Sequence, residues 1–303
     1  SYKDNIEQSV NAGIDMVMIP RDPSTKNNYV EFFKYLRELV DEGKVSIERI
    51  NDAVKRILLV KFEMGLFENY EIDRSLTKKI GSPEHRKTSR EAVRKSLVLL
   101  KNENDILPLS KNSNQIYVAG KGANDLGMQC GGWTIAWQGG RGDVISGGTN
   151  LLQSIRNAVD KKTEVIYSND GANIPSGALV IAVIGEEPYA EGKGDREDLN
   201  LSQEDISLIK RLKRQNASII TILFSGRPMI INEVIDLSDA FVAAWLPGTE
   251  GEGITDVIFG DYNPSGKLSF TWPRNMDQIP INVGDKNTNP LFPYGFGLNY
   301  YKH

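Results

Sequence analysis

Two stretches of the 303-residue sequence carry side chains suited to chemistry on a polar substrate. Residues 185–195 (GEEPYAEGKGD) place four carboxylates, Glu186, Glu187, Glu191 and Asp195, in one segment. Positioned carboxylates commonly move protons to and from a reacting group. Charged loops are also common where only water is bound, and spacing does not choose among the four. Residues 129–140 (QCGGWTIAWQGG) hold Trp133 and Trp137 four residues apart between glycines. Glycine-flanked indoles make an awkward core element and a good exposed platform. Such a platform suits sugars, whose C–H faces are apolar while their hydroxyls are polar. The alternative is that both indoles pack beneath the loop. A third segment, Ser225-Gly226-Arg227-Pro228, offers an arginine that either holds its own loop or contacts a ligand.

The elements that must position these segments are apolar runs with strand character. They lie at residues 96–100, 115–119, 165–167, 179–184, 219–224 and 240–245. Helical patterns occur at 86–95, 150–159, 203–215 and 251–259. Strands alternating with helices predict an α/β fold, a mostly parallel sheet covered on both faces. Functional loops then gather at the carboxyl ends of its strands, where 185–195 and 225–228 fall. The tail from Gly260 is rich in Pro, Gly, Asn and aromatics and reads as a closing segment.

The first 65 residues read differently. The opening residues read as the middle of a helix that stops at Gly13, and residues 14–19 form an apolar run closed by Pro20 that suits a buried strand. A helix over 29–40 aligns Val30, Phe33, Leu36 and Val40 on one face. Another starts from Ser46 as N-cap and runs out at Gly65. A lone strand closes no sheet, so these apolar faces need a cover. Residues 66–80 lose periodicity and read as a linker, giving a layout of 1–65, 66–80 and 81–303.

Composition narrows the function. A hydrophobic fraction of 40% and a charged fraction of 25% are ordinary for a globular protein. The net charge of −4 argues against a nucleic-acid partner. The basic run at 210–214 sits in a helical pattern and reads as a solvated face. Cys130 has no second cysteine to pair with, and the two histidines, His85 and His303, lie too far apart in sequence to suggest a metal cluster. No apolar run approaches the roughly 18 residues of a membrane span. Gly120-Lys121-Gly122 lacks the third glycine of a dinucleotide fingerprint, against a nucleotide-binding α/β enzyme.

A collinear set of stretches resembles glycoside hydrolase family 3, particularly its β-glucosidases and exo-β-glucanases. They are residues 11–20 (NAGIDMVMIP), 49–67 (RINDAVKRILLVKFEMGLF), 91–102 (EAVRKSLVLLKN), 129–139 (QCGGWTIAWQG) and 185–195. The set continues through 224–228 (FSGRP), 244–252 (AWLPGTEGE), 259–268 (FGDYNPSGKL) and 293–298 (PYGFGL). The resemblance implies that residues 1–65 are the C-terminal portion of a (β/α)8 barrel and 81–303 an α/β sandwich domain, with the active site between barrel and sandwich. It assigns the general acid/base to Glu191 and an aromatic sugar clamp to Trp137, with Trp133 beside it as a second substrate-binding candidate. No catalytic role passes to Glu186, Glu187 or Asp195.

One departure from the family pattern is informative. The family's nucleophile is an aspartate in a Ser-Asp-Trp-type motif on the barrel, and no such motif occurs here. Ser238-Asp239-Ala240 is a decoy at the entry of a sandwich strand. The barrel's sugar-binding residues are absent too, so the expectation is the C-terminal part of a longer catalytic unit. The barrel portion that completes it, on the same or a separate chain, becomes an expected partner. The implied reaction is retaining hydrolysis of a terminal β-glucosyl residue from a β-glucoside or β-glucan, with no metal or organic cofactor, in a secreted or periplasmic setting. The rival is a non-catalytic carbohydrate-binding or interaction module of the same fold.

Overall fold

In a computed structural model the chain is described over residues 1–19, 22, 24–286 and 288–300. It divides into two compact units, Ser1–Thr77 and Lys78–His303.

The first unit contains α1 (Tyr2–Asn11), α2 (Tyr29–Asp41) and α3 (Ile47–Glu63). Each has a side-chain N-cap, from Ser1, Asn28 and Ser46, which satisfies amide groups that the first helical turn leaves unpaired. Ser1 and Asp4 form a capping box at the first turn of α1. Ile6, Val10, Leu39 and Val45 make a small core flanked by Tyr35, Leu36 and Ile50. Arg49 knits it together, donating to the Val10 carbonyl at 2.8 Å and to Asp15 at 2.6 Å. Residues 14–19 form no strand, contrary to expectation. A strand exists only through its ladder, and among the described residues this unit offers none to pair with. Pro20, expected to close that run, lies outside the described residues, as does His303.

The second unit is built on a six-stranded sheet in the order β1-β6-β5-β4-β2-β3. The strands are β1 (Val98–Asn102), β2 (Gln115–Ala119), β3 (Glu164–Ser168), β4 (Leu179–Gly185), β5 (Ser218–Phe224) and β6 (Ala240–Trp245). All neighbours pair in parallel except β1, which runs antiparallel to β6 at one edge. Five of the strands therefore end on one rim, and the reversed β1 begins there.

Strand residues alternate between two apolar layers, as a sheet buried on both faces requires. On one face Ile116, Val118, Ile181, Val183, Ile220 and Val242 pack under α4 (Pro83–Ser96), α6 (Leu151–Ala158) and α9 (Glu252–Ile258). On the other, Val180, Ala182, Ile184, Ile219 and Phe241 meet α7 (Gln203–Arg214) and α8 (Asn232–Leu237). The tail from Gly260 adds no further βα unit. It seals the second face with Leu268 and Trp272, the latter wholly buried and donating its indole N–H to the Met229 carbonyl at 2.8 Å. Asp239 of the Ser-Asp-Ala decoy accepts the Ile219 amide at 2.7 Å, a strand-entry contact.

Helix α4 is stapled to α9 by charge. Arg86, Arg90 and Arg94 repeat every fourth residue along one face. Arg86 reaches the buried Glu250 at 3.2 Å, and Arg90 and Arg94 both reach the buried Asp256. Gly253 lets the helices close, because a Cβ there would fall 2.6 Å from Val93.

Candidate active site

The functional segments sit on the rim formed by the carboxyl ends of the parallel strands. The loop after β4 begins at Gly185, whose backbone presses on β5, since a Cβ there would lie 2.1 Å from the Phe224 carbonyl. It ends in a 3-10 turn over Glu191–Gly194. The tryptophan loop leaves the end of the short helix α5 (Leu126–Cys130).

The two loops fit backbone to backbone. A Cβ on Gly132 would come 2.0 Å from the Tyr189 carbonyl oxygen, and one on Gly139 would come 2.5 Å from the Gly131 carbonyl and 3.0 Å from Pro188. The Gln138 side chain accepts the Ala190 amide at 3.0 Å. Arg141 then ties the far side, bonding Asp125 at 2.5 Å and Glu187 at 2.9 Å. The glycines bracketing the indoles therefore serve close approach as well as turning.

This docking brings together residues 54 positions apart: the Trp137 indole N–H donates to Glu191 Oε2 at 3.1 Å. Trp133 stands beside it, ring centroids 6.4 Å apart and planes inclined by 50°. Both rings are exposed, Trp133 at 68% and Trp137 at 52%, so they do not pack beneath the loop within this chain. Glu191 is exposed as well, with φ near 37°, in the left-handed region that non-glycine residues seldom occupy. Trp133 and Ile135 share that region, with φ of 60° and 62°. Such conformations persist where surrounding contacts enforce them, and here three occur in the paired loops.

The remaining carboxylates are placed quite differently. The Glu186 side chain is buried and accepts from Arg227 at 2.9 and 3.1 Å, Arg196 at 3.3 Å and the Tyr189 hydroxyl at 3.2 Å. Burial first, and then the Glu186 charge, push the Tyr189 phenol up to about 12, so it remains a proton donor at neutral pH. Glu187 pairs with Arg141 and, at 3.6 Å, with Lys121. Lys121 also reaches the buried Asp205 at 3.4 Å, and burial raises Asp205 above the ordinary carboxylate range despite that cation. Asp195 is exposed. Lys121, Glu186, Glu187, Tyr189, Asp205 and Arg227 line a cleft of about 610 Å³. Among the described residues no group of His, Cys, Asp and Glu has the arrangement of a metal site.

Sequence reasoning missed Gln138 and Arg141, which join the two loops. Arg141 had one available signal, a long cation in the glycine-rich exit of the tryptophan loop. The partners of Gln138 and Arg141 lie up to 52 residues away, and nothing local announces them.

The chain is a member of glycoside hydrolase family 3: the model of that family's C-terminal domain matches residues 97–300 and that of its N-terminal domain matches residues 1–60. It is 30% identical to a periplasmic β-glucosidase of Salmonella typhimurium over 98% of its own length and 45% of that protein's. It is 31% identical to a lysosomal β-glucosidase of Dictyostelium discoideum, covering 99% of itself and 39% of the relative. Among solved structures, the exo-1,3/1,4-β-glucanase of a Pseudoalteromonas species superposes with a TM-score of 0.87 at 40% identity, covering 98% of this chain and 38% of that one. A glucose complex of the Listeria innocua β-glucosidase gives 0.79 at 27% identity, covering 99% of this chain and 44% of that one. The chain thus spans less than half the length of these four proteins.

Proposed function

We propose that this chain is the acid/base-bearing part of a retaining exo-acting β-glucosidase, which removes terminal β-D-glucosyl residues from β-glucosides or β-glucans. The observation that carries the reading is the bond between the Trp137 indole N–H and Glu191, which sets a proton-transfer group at the edge of an exposed indole. The β-glucosidase and exo-β-glucanase activities of the relatives support the substrate class. One relative from Formosa agariphila, 28% identical, is a β-xylosidase, which keeps the pentoside within reach of the same site. Periplasmic and lysosomal relatives support an extracytoplasmic setting.

In the proposed reaction an aspartate on a barrel portion beyond these residues attacks the anomeric carbon. The bond to the leaving oxygen breaks as Glu191 delivers its proton to that oxygen. Water then attacks the glycosyl–enzyme ester, giving its proton to Glu191 and releasing the sugar with retained configuration. The two carboxyls of such a pair stand about 5–5.5 Å apart, leaving no room for a water between them and requiring no cofactor. Delivery of a proton near neutral pH needs a carboxyl shielded from water. Glu191 is exposed here, so the covering wall that completes the sugar pocket must also supply that shielding. Trp137 and Trp133 clamp the sugar next to the cleavage point.

The test is Glu191→Gln in the catalytically complete enzyme. General acid catalysis contributes about 100- to 10,000-fold, so kcat/KM, which reports only the step that expels the leaving group, should fall by that order on alkyl and unactivated aryl glucosides and change far less on dinitrophenyl glucoside. Equal loss on both classes removes Glu191 from the acid role. The purified 303-residue chain is expected to be inactive on aryl β-glucosides, and robust turnover by it overturns the division of labour. The exposed indoles also suit a module that binds carbohydrate without cleaving it; in that case Glu191→Gln leaves binding intact and no variant alters hydrolysis.

A further inference from the structure

The loop after β4 carries Glu191 on strained backbone, in an exposed turn with few apolar contacts, yet an acid/base group must be held to a fraction of an ångström. Trp137 and Gln138 hold it from the tryptophan loop, and a side chain from the turn after β5 ties its two ends. Arg227 donates through Nε and a terminal nitrogen to Glu186, at 3.1 and 2.9 Å. Its other terminal nitrogen donates to the Gly194 carbonyl at 2.7 Å. Glu186 is the second residue of the loop and Gly194 closes the turn that Glu191 opens. One planar guanidinium therefore ties both ends of the loop.

The same guanidinium lies over the Tyr189 ring, 4.5 Å from its centroid, and Tyr189 fills the space between the two ends. A Cβ on Gly194 or Gly226 would fall 2.2 Å or 2.6 Å from Tyr189 atoms, so the ring is gripped from both sides. The Tyr189 hydroxyl donates to Glu186, and its carbonyl packs against Gly132 of the tryptophan loop. The chain of contacts from Arg227 thus reaches both members of the Trp137–Glu191 pair without touching either.

We propose that Arg227 is a positioning residue that fixes Glu191 for proton transfer by clasping the Glu186 and Gly194 ends of its loop over Tyr189. The inference rests on the acid/base reading of Glu191 given above. Lysine at 227 cannot reproduce it, because a point charge cannot bond two acceptors in a plane while stacking on a ring.

The experiment compares Arg227→Ala, Arg227→Lys and Glu191→Gln in the catalytically complete enzyme, each assayed on a dinitrophenyl and an unactivated phenyl β-glucoside. A misplacement of about 1 Å costs on the order of 100-fold when it affects the reacting group. The expected result is that Arg227→Ala lowers kcat/KM, which reports only the step that expels the leaving group, by about that factor on the phenyl substrate and by under about threefold on the dinitrophenyl substrate. Arg227→Lys should fall between, and both variants should shift the acid-dependent limb of the pH profile. If Arg227→Ala slows the two substrates equally while Glu191→Gln separates them, the clasp is structural only and the proposal is overturned. If Glu191→Gln itself fails to separate them, the acid/base reading falls and takes the clasp with it. Should Arg227→Ala not fold, Arg227→Lys and Glu186→Gln carry the same comparison, and substrate-independent loss in both is equally decisive against it.

Discussion

The two units of this chain solve the problem of burying apolar surface to very different degrees. In the second unit both faces of the sheet are covered, and strand residues such as Ile181, Val183, Ile220 and Val242 are wholly buried. In the first, the buried core reduces to Ile6, Val10, Leu39 and Val45, while Phe33 is 64% exposed, Phe62 58% and Met18 fully so. Helices α2 and α3 are amphipathic and carry side-chain N-caps, as α7 does. What differs is the presence of something to pack against. Propensity and capping make helices, but a sheet or a second helical layer makes a domain. The first unit thus presents apolar surface that the described residues leave uncovered.

Four measurements can break or sharpen that contrast. The largest effect is expected in amide hydrogen exchange: α1 to α3 should exchange at least about a thousandfold faster than β4 and β5, because local opening there exposes little additional apolar surface. Equal protection would show that the first unit is stabilised by contacts not visible in its own core. Next, Trp272→Ala should cost about 3–5 kcal/mol in the denaturation of the second unit, for loss of a wholly buried indole and its hydrogen bond. A value below about 1 kcal/mol would mean that the tail does not seal the core.

A smaller, pH-dependent effect belongs to Asp205. Its folded-state value is raised, so the native chain binds that proton more readily than the unfolded chain, and this group's contribution to stability falls as pH rises from the ordinary carboxylate value through the raised one. Asp205→Asn should flatten that part of the pH–Tm profile, and an unchanged slope would show that Lys121 compensates the charge. The smallest effect on stability is expected for Phe33→Ser or Phe62→Ser, within about 0.5 kcal/mol, since both rings are exposed. Their readout is association: light scattering of the purified chain should fall, and unchanged scattering would place the sticky surface elsewhere.

Much of the second unit was legible because its strands are continuous apolar runs between helical patterns, and that pattern survives without any tertiary knowledge. The direction of β1 was not, because an apolar run has no polarity; only its pairing with β6 reveals the reversal. Helices α5 and α8 have five and six residues, too few for a 3.6-residue period to declare itself. Residues 14–19 look like a strand by composition, yet a ladder is a property of two segments. At the site, the sequence located the loops but left four carboxylates equivalent. Glu186 and Glu191 differ through partners 40 or more residues away, Arg227 in one case and Trp137 in the other. Residue type gives the chemistry available, and packing decides which copy is free to use it.

The arginine ladder of α4 bears on how force travels along the chain. A pull on the chain at residue 78 meets α4 before the edge strand β1 in sequence. This strand pairs with β6 on one side and with Leu298 alone on the other, so few rungs oppose its peeling. The three guanidinium–carboxylate clasps onto Glu250 and Asp256 load in shear and together, upstream of that seam. The sheet is thus insulated from its tether: a tug at residue 78 must slide one helix along another before the first rung of β1 feels it.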